Sequence, residues 1–248
     1  MEMQGRTVVV TGGASGIGKA TALLLAREGA RVVIGDVDAD GGARVAAEAT
    51  GQGHPVNFLP LDLAKPESIA DFAATAHDRA GGIDGLVNGA GWDRIQPFME
   101  NPPEMWDELI AINLLGAVRL TRALLPPMIA AQQGKIVNIS SDAGRVGSTG
   151  ETVYAAAKGG LIAFTKSLAR EMARYRINVN CVCPGPTDTP LFQRQPERMR
   201  EALTRAIPFR RIAQPEDIAE AVMFFLGRRS DYITGQVLSV SGGLTMVG

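Results

Sequence analysis

The sequence predicts an α/β fold in which a doubly wound, mostly parallel sheet of about seven strands is covered by helices on both faces. Short β-branched runs alternate with longer Ala- and Leu-rich segments of helical periodicity, and Gly or Asp turns separate them. This alternation is typical of βαβ units. Val8–Val10 and Leu86–Val87 are continuously apolar, as expected for central strands that are buried on both faces.

Each element follows from this pattern. The predicted strands are Thr7–Thr11, Arg31–Asp36, Pro55–Leu61, Gly85–Asn88, Lys135–Ser140, Asn178–Val182 and Gln236–Val240. The predicted helices lie near Gly16–Glu28, Ala39–Thr50, Pro66–Ala80, Pro103–Ala131, Thr152–Arg174 and Pro215–Leu226. The stretch Pro184–Pro208 does not follow this alternation of strands and helices, and it carries several Pro, Gln and Arg residues. We expect it to form a short helical flap over a site, at about residues 186–208.

Length and composition limit the class of protein. A chain of 248 residues and 26.2 kDa is expected to fold as one domain, residues 1–248. With 46% hydrophobic residues and 25 basic against 26 acidic side chains, neither disorder nor a nucleic-acid-binding surface is indicated. We see neither an apolar run of about 18 to 20 residues nor a secretory signal segment, so we expect a cytoplasmic protein that does not bind membranes.

The cysteines and histidines do not suggest a metal site. Cys181 and Cys183 would point to the same face of a strand, too far apart along it for a relaxed disulfide, so we expect buried thiols. The two histidines, His54 and His77, lie at no ligand-like spacing from a cysteine or from each other. We therefore expect no bound metal.

A glycine-rich turn follows the first predicted strand and opens the first helix. Its sequence is Thr11-Gly12-Gly13-Ala14-Ser15-Gly16-Ile17-Gly18. Glycines let the backbone approach a pyrophosphate, and the helix N-terminus supplies free N–H groups and a positive dipole end. Any tight strand-to-helix turn can use glycine, but this placement favours a dinucleotide site of the Rossmann type. The predicted contacts in this loop are Gly12, Ser15, Gly16, Ile17 and Gly18.

Two carboxylates at strand ends are candidates to contact the adenosine part of a dinucleotide. Asp36 ends the second strand, where it can accept hydrogen bonds from both ribose hydroxyls but would repel a 2′-phosphate. Because neither Ser15 nor Val37 offers a cation to such a phosphate, we expect NAD rather than NADP. The alternative is that Asp36 only caps its own turn. Asp62 follows the third strand and could contact the adenine or cap the helix that begins at Pro66.

Tyr154 and Lys158 are four residues apart, which places both side chains on one face of a helix. A tyrosine with a pKa near 10 is a poor base at neutral pH. A nearby ammonium and a positively charged nicotinamide favour the phenolate, and lowering the pKa to about 7 needs roughly 4 kcal/mol. We expect Tyr154 to transfer the proton of a redox reaction and Lys158 to favour its phenolate form.

Two more polar residues stand at informative positions. Ser141 follows the predicted strand Lys135–Ser140, at the end where open α/β sheets bind ligands. It is expected to hold a substrate oxygen, the alternative being a serine that caps a turn. Asn113 is unusual within an apolar helix, because Asn competes with the backbone for hydrogen bonds, and such a local defect can hold a water.

These motifs, together with Pro184-Gly185-Pro186-Thr187-Asp188-Thr189 and in this order over essentially the whole chain, resemble the short-chain dehydrogenase/reductase family. The resemblance implies that Tyr154 is the acid/base and that Lys158 binds the nicotinamide ribose. It implies that Ser141 orients the substrate oxygen and that Asn113 anchors a water leading from Lys158 to solvent. The further coenzyme contacts that it implies are Leu63, Asn88, Ala90, Gly91, Pro184, Gly185, Thr187 and Thr189.

The resemblance also implies a homotetramer formed through the two long helices and the C-terminal segment.

One motif departs from the family pattern. The usual Asn-Asn-Ala-Gly after the fourth strand is Asn88-Gly89-Ala90-Gly91 here, so one amide side chain is missing from the centre of the sheet. This places some local stability in doubt, while Asn88 and the small residues Ala90 and Gly91 remain.

A more specific similarity points to members of the family that oxidise a ring β-hydroxyacyl-CoA to the β-keto thioester. An alicyclic ring needs an apolar pocket, for which Trp92, Val146, Val153 and Leu191 are candidates. The CoA arm needs cations near the mouth of the pocket. The candidates are Arg194, Arg198, Arg200, Arg205, Arg210 and Arg211. The alternative for each of them is a solvated arginine on the surface of the flap.

Two alternatives remain at this stage. A 3-oxoacyl-carrier-protein reductase is disfavoured by Asp36, because that activity normally uses NADPH. A non-catalytic dinucleotide-binding sensor is disfavoured because it would not need Asn113, Ser141, Tyr154 and Lys158 together.

Overall fold

The structure, a computed structural model, describes residues 1–247 apart from the side chain of Ala80. Seven parallel strands form one sheet in the order β3-β2-β1-β4-β5-β6-β7. The strands are β1 (Thr7–Thr11), β2 (Arg31–Asp36), β3 (Val56–Pro60), β4 (Gly85–Asn88), β5 (Gly134–Ile139), β6 (Ile177–Pro184) and β7 (Val237–Val240). The predicted doubly wound α/β fold is confirmed, and predicted strand ends differ by one or two residues.

The helices connect successive strands. They are α1 (Gly16–Arg27), α2 (Ala39–Gly51), α3 (Pro66–Ala80), α4 (Pro103–Ile110), α5 (Ala117–Ala131), α6 (Ala143–Val146), α7 (Thr152–Met172), α8 (Pro190–Gln193), α9 (Glu197–Ala206) and α10 (Pro215–Leu226). The segment predicted as a flap thus contains the two helices α8 and α9. A 3₁₀ turn at Ala173–Tyr175 follows α7, where the sequence predicts further α-helix.

Two apolar cores lie on opposite faces of the sheet. One includes Phe72, Leu120 and Leu168, which bring α3, α5 and α7 onto the sheet. The other includes Leu25 and Val222 from α1 and α10. Because both faces are covered, β1 is buried at every position, and its middle residues Val8–Val10 are continuously apolar.

The stretch predicted as one long helix, Pro103–Ala131, is divided by a π-helical segment at Ala111–Gly116. Asn113 lies in that segment, and its Nδ2 donates to the Leu109 carbonyl oxygen at 3.0 Å. An amide that bonds to the helix backbone weakens the regular ladder, so the local defect expected at Asn113 is a wider helical turn.

By length and apolar composition alone, Pro103–Ala131 could cross a membrane. The prediction that no apolar segment is long enough to span a bilayer therefore does not hold for this stretch. Core helices of soluble proteins have the same properties, and Leu120, Leu124 and Met128 of this stretch are buried against the sheet.

Cys181 and Cys183 are buried free thiols on β6. Their Sγ atoms lie 3.9 Å apart, beyond disulfide bonding distance. The prediction of two buried thiols on one face of a strand is confirmed.

Candidate active site

The strand order places the site between β1 and β4. These strands are neighbours, yet the connections that leave them run to opposite faces of the sheet, and ligands bind at such a switch point. The Thr11 hydroxyl accepts hydrogen bonds from the backbone N–H groups of Gly89 and Ala90, both at 3.1 Å. A Cβ on Gly12 would lie 2.9 Å from the Ala90 Cα, so a glycine is needed at position 12.

A cavity of about 920 Å³ opens at this edge of the sheet. Nearly all of the residues predicted for the site line it: Gly12, Ser15, Gly16, Ile17, Gly18, Asp36, Asp62, Leu63, Ala90, Gly91, Trp92, Ser141, Val146, Tyr154, Lys158, Pro184, Gly185, Thr187, Thr189 and Leu191. The other two, Asn88 and Asn113, are buried behind its wall. Val153, also expected in the substrate pocket, falls outside the described lining.

The glycine loop forms a close-fitting cradle for a pyrophosphate. A Cβ on Gly18 would lie 2.1 Å from the Gly12 carbonyl oxygen, and Gly16 has a φ of +51°. Because α1 begins at Gly16, the N–H groups of its first turn have no acceptor within the helix. The Ser15 side chain makes no capping hydrogen bond in the described part of the chain. These donors fit the dinucleotide predicted from the sequence.

Asp36 joins the end of β2 to the glycine loop. Its Oδ2 accepts from Ala14 N at 2.9 Å, and its Oδ1 accepts from Asp38 N at 3.0 Å. The second bond is the turn cap that the sequence left as an alternative. Asp36 also lines the cavity, and each carboxylate oxygen has a further lone pair, so capping and ribose binding are compatible.

Asp62 faces the same cavity. Its Oδ1 accepts from Ala64 N at 3.0 Å, and its Oδ2 pairs with Lys65 Nζ at 3.0 Å. The N-cap of α3 is Lys65, so the helix-capping alternative for Asp62 is wrong.

Ser141, Tyr154 and Lys158 converge at the deep end of the cavity. Ser141 follows β5, and Tyr154 lies in the first turn of α7; both side chains line the cavity. The Ser141 Oγ also accepts from Ala143 N at 3.1 Å, which is the turn-capping bond considered as an alternative. Lys158 Nζ donates to the Ile139 carbonyl oxygen at 2.9 Å and lies 5.7 Å from the centroid of the Tyr154 ring.

The electrostatics of the protein's own groups oppose ionisation of the tyrosine. Burial raises the pKa of Tyr154, and the carboxyl groups of Glu151 and Asp93 raise it further, whereas the hydrogen bond from Ser141 lowers it. Burial also lowers the pKa of Lys158 to about 8. The predicted lowering of the phenol pKa involves Lys158 together with the positive charge of the coenzyme.

Asn113 fixes the loop that borders the catalytic end. Its Nδ2 donates to the Trp92 carbonyl oxygen at 2.7 Å, and its Oδ1 accepts from Trp92 N at 3.1 Å. A Cβ on Gly91 would lie 3.1 Å from that Oδ1 and 3.2 Å from Lys158 Nζ. Asn113 and Lys158 thus both approach the position that a side chain at residue 91 would occupy.

A buried polar network supports the sheet beneath the site. Asn88 Nδ2 donates to Asn138 Oδ1 at 2.8 Å and to Thr121 Oγ1 at 2.9 Å. Asn138 Nδ2 in turn donates to Thr165 Oγ1 at 2.8 Å. A Cβ on Gly89 would lie 2.8 Å from the Thr11 carbonyl oxygen. Gly89, at which this chain departs from the family pattern, therefore fits a tight contact between β1 and β4.

Several lining residues were not predicted as site residues. Met199 and Leu203 of α9 contribute apolar surface, and their spacing of four on an amphipathic helix was the available signal. Glu151 also lines the cavity, and burial together with Glu151 raises the pKa of Asp93 to about 7. These two residues lie on separate loops, so the sequence pattern carries no direct signal that they interact.

The six candidate arginines have different positions. Arg194 lines the cavity. Arg211 forms two hydrogen bonds with Asp217, Arg205 pairs with Glu201, and Arg200 bonds to Gln193. Arg210 donates to the Arg205 carbonyl oxygen. Arg198 is exposed and falls outside the described lining. Arg194 is therefore the best placed of the six to meet a ligand.

The chain matches known proteins over almost its full length. The family model described as enoyl-(acyl carrier protein) reductase matches residues 12–245. A 3-oxoacyl-[acyl-carrier-protein] reductase FabG from Thermotoga maritima is 39% identical over 246 residues, which are 99% of this chain and 100% of the relative. The (2S)-[(R)-hydroxy(phenyl)methyl]succinyl-CoA dehydrogenase subunit BbsD from Thauera aromatica is 37% identical over 246 residues, 99% of each chain.

Solved structures have the same fold. A protein described as a short-chain alcohol dehydrogenase from Sinorhizobium meliloti superposes with a TM-score of 0.92 at 32% identity, covering 97% of this chain and 96% of that one. The crystal structure of gox2181 gives a TM-score of 0.94 at 30% identity, with the same coverage of both chains.

Proposed function

Because the chain belongs to the short-chain dehydrogenase/reductase family, we propose that it transfers a hydride between a secondary alcohol and NAD. The first-choice substrate is a β-hydroxyacyl-CoA, and a ring compound in particular, as for a 2-hydroxycyclohexanecarboxyl-CoA dehydrogenase. The observation that carries this proposal is the convergence of Ser141, Tyr154 and Lys158 in one cavity with the glycine loop. The family's enzymes act on CH–OH or keto groups, and this chain is an oxidoreductase of that class.

Tyr154 is the proposed proton acceptor. An oxidised nicotinamide coenzyme, held by the glycine loop and Asp36, would supply the hydride acceptor and a positive charge in the cavity. The phenolate of Tyr154 takes the hydroxyl proton as the C=O bond forms, and the Ser141 hydroxyl holds the same oxygen. Burial raises the pKa of Tyr154, so the Lys158 ammonium and the coenzyme charge together must offset that burial.

Lys158 and Asn113 are the proposed positioning residues. The Lys158 ammonium is fixed by the Ile139 carbonyl oxygen and lies close enough to the Tyr154 ring to favour its anion. Its pKa of about 8 keeps it mostly charged at neutral pH. Asn113 holds the Trp92 backbone beside it, at the place where a water path to solvent would begin.

Asp36 supports NAD as the coenzyme. Its carboxylate lines the adenosine end of the cavity, where a 2′-phosphate would meet like charge. Val37, next to it, is exposed and offers no cation. FabG relatives are similar over the whole chain, so the competing proposal is a 3-oxoacyl-carrier-protein reductase, and coenzyme preference separates the two.

The lining supports an apolar acyl group. Trp92, Val146 and Leu191 lie in the cavity as expected, and Met199 and Leu203 extend the same apolar wall. Arg194 supplies one cation for the CoA arm. The printed name of the relative BbsD is that of a dehydrogenase of a CoA thioester, which supports this substrate class.

The assembly and location also remain proposals. We propose a cytoplasmic homotetramer that buries the outer faces of the two long helices and the C-terminal segment, where Leu115 and Met246 are exposed. We further propose that residues 1–248 act as one domain and that α8 and α9 form a flap over the substrate.

The deciding experiment measures initial rates with NAD and NADP in parallel, using racemic 3-hydroxybutyryl-CoA, racemic 2-hydroxycyclohexanecarboxyl-CoA and, in reverse, acetoacetyl carrier protein. The proposal predicts that NAD with a CoA thioester gives the highest kcat/KM. A clear preference for NADPH with the carrier-protein substrate would favour the competing proposal. Absence of turnover with every substrate, while NADH still binds, would indicate a dinucleotide-binding sensor.

A further inference from the structure

The chain that follows β7 returns to the cavity. Residues 241–247, the C-terminal segment, begin with a tight turn. Leu244 N donates to the Ser241 carbonyl oxygen at 3.2 Å, and Thr245 N donates to Ser241 Oγ at 3.1 Å. Both Leu244 and Thr245 line the cavity. The C-terminal segment therefore forms part of the cavity wall.

Residues next to the catalytic serine hold this segment at both of its ends. Just before the segment, the Ser239 hydroxyl donates to Asp142 Oδ1. At the far end, Arg145 Nη2 donates to the Val247 carbonyl oxygen at 2.6 Å. Asp142 directly follows Ser141, and Arg145 lies in α6. The position of the segment is thus tied to the residues that follow Ser141.

The end of α9 also contacts the C-terminal segment. Phe209 N donates to the Gly242 carbonyl oxygen at 3.1 Å, and a Cβ on Gly242 would lie 2.9 Å from Ile207 Cγ2. Ile207 is buried at the end of α9, one helical turn after Leu203, which lines the cavity. The segment therefore contacts both α6 and α9, and both helices border the cavity.

The strand order places Leu244 away from the adenosine end of the cavity. Asp36 ends β2, near one edge of the sheet, whereas Leu244 follows β7, at the other edge. Ser141 follows β5, which lies between them. Leu244 is therefore on the far side of the catalytic residues from Asp36, where the acyl part of a substrate extends.

We propose that Leu244 determines specificity by limiting the size of the acyl group, and that Arg145 positions Leu244 by holding the C-terminal segment on α6. Leu244 is only partly buried, so its side chain has surface left to contact a ligand. Because Arg145 ties down the end of the segment, Leu244 cannot retreat from a larger acyl group while that bond holds. This inference rests on the proposed oxidation of a β-hydroxyacyl thioester and names further residues of the same substrate pocket.

The test compares racemic 3-hydroxybutyryl-CoA with racemic 3-hydroxyoctanoyl-CoA, which differ only in the length of the acyl chain. Initial rates with NAD are measured for wild type, Leu244→Ala, Leu244→Phe, Arg145→Ala and the double variant with Leu244→Ala and Arg145→Ala. Leu238→Ala and Arg229→Ala are the matched controls, because both residues are exposed and fall outside the described lining.

The quantity compared is the ratio of kcat/KM for the octanoyl substrate to kcat/KM for the butyryl substrate. Leu244→Ala should raise this ratio about tenfold, mainly through KM, and Leu244→Phe should lower it by a similar factor. In the two controls the ratio should stay within about twofold of the wild-type value. A merely structural role for Leu244 would lower both rates together and leave the ratio unchanged.

Arg145→Ala should shift the ratio in the same direction as Leu244→Ala. Because Arg145 acts through Leu244, the double variant should show no more than about a twofold further rise over Leu244→Ala alone. A double variant in which the two shifts multiply fully would overturn the positioning role of Arg145.

Ratios equal to wild type in both Leu244→Ala and Leu244→Phe, with the thioesters still oxidised, would overturn the role of Leu244 and leave the proposed function intact. An equal rise in Leu238→Ala would overturn it too, because the effect would then not depend on the cavity wall. If wild type oxidises neither thioester while NADH binds, the proposed function itself fails, and the role of Leu244 toward that substrate fails with it.

Discussion

Asn113 hydrogen-bonds both backbone groups of Trp92, accepting from its N–H at 3.1 Å and donating to its carbonyl oxygen at 2.7 Å. The same side chain donates to Leu109 O at 3.0 Å within the π-helical segment. One buried amide therefore fixes two features at once, the widened helical turn and the loop that carries Asp93.

Replacing Asn113 with Ala should loosen both features. The variant leaves the Trp92 N–H and carbonyl groups without their partners, so we expect a loss of about 2 to 3 kcal/mol in the free energy of unfolding. Urea denaturation measures this loss. Asn57→Ala, at an exposed position of β3, should change stability by less than about 0.5 kcal/mol. Equal stability of the two variants would contradict the role given to Asn113.

Replacing Asp36 with Ala should reduce the preference for NAD. The carboxylate that would bind the ribose hydroxyls is lost, and so is the like charge that opposes a 2′-phosphate. We expect kcat/KM with NAD to fall at least about tenfold, and kcat/KM with NADP to stay level or rise. Asp38→Ala is the control, because it removes only the N-cap bond to Gly41 N at 2.9 Å. It should lower stability by about 1 kcal/mol and leave the coenzyme ratio unchanged.

Asp93→Asn should change the pH dependence of stability. The pKa of Asp93 is raised to about 7 in the folded protein from 3.8. Between these values the folded state binds more protons than the unfolded state, so wild type loses stability as pH rises from about 4 to 7. The variant lacks this titration. Its Tm relative to wild type should therefore rise by a few °C between pH 5 and pH 8, and a constant difference would contradict the raised pKa.

Much of the fold follows from local patterns. Continuous apolar runs such as Val8–Val10 identify the central strands, and the glycine loop between β1 and α1 identifies the dinucleotide end. Strand ends are less well defined, because the last residue of a strand depends on pairing with its neighbour. The extension of β6 to Pro184, for example, depends on its partner Val240 in β7.

The rest of the site depends on contacts between distant segments. Asp62 resembles a helix cap in sequence, but α3 begins after Lys65, and the Asp62 carboxylate bonds within its own turn. Val153 is adjacent to Tyr154, yet neighbouring helical residues point about 100° apart, so only one of them faces the cavity. The hydrogen bond from Gln96 N to the Gly150 carbonyl oxygen, at 2.9 Å, joins two loops, and neither loop's sequence encodes this packing alone.

The most direct test of the central claim is the turnover of Tyr154→Phe with NAD and 3-hydroxybutyryl-CoA, measured alongside NADH binding. Tyr232→Phe, at a fully exposed position, is the matched control and should behave as wild type. If the Tyr154 hydroxyl accepts the proton, kcat falls by about a thousandfold or more while the Kd for NADH changes less than about threefold. A variant that keeps more than about a tenth of wild-type kcat would contradict the account.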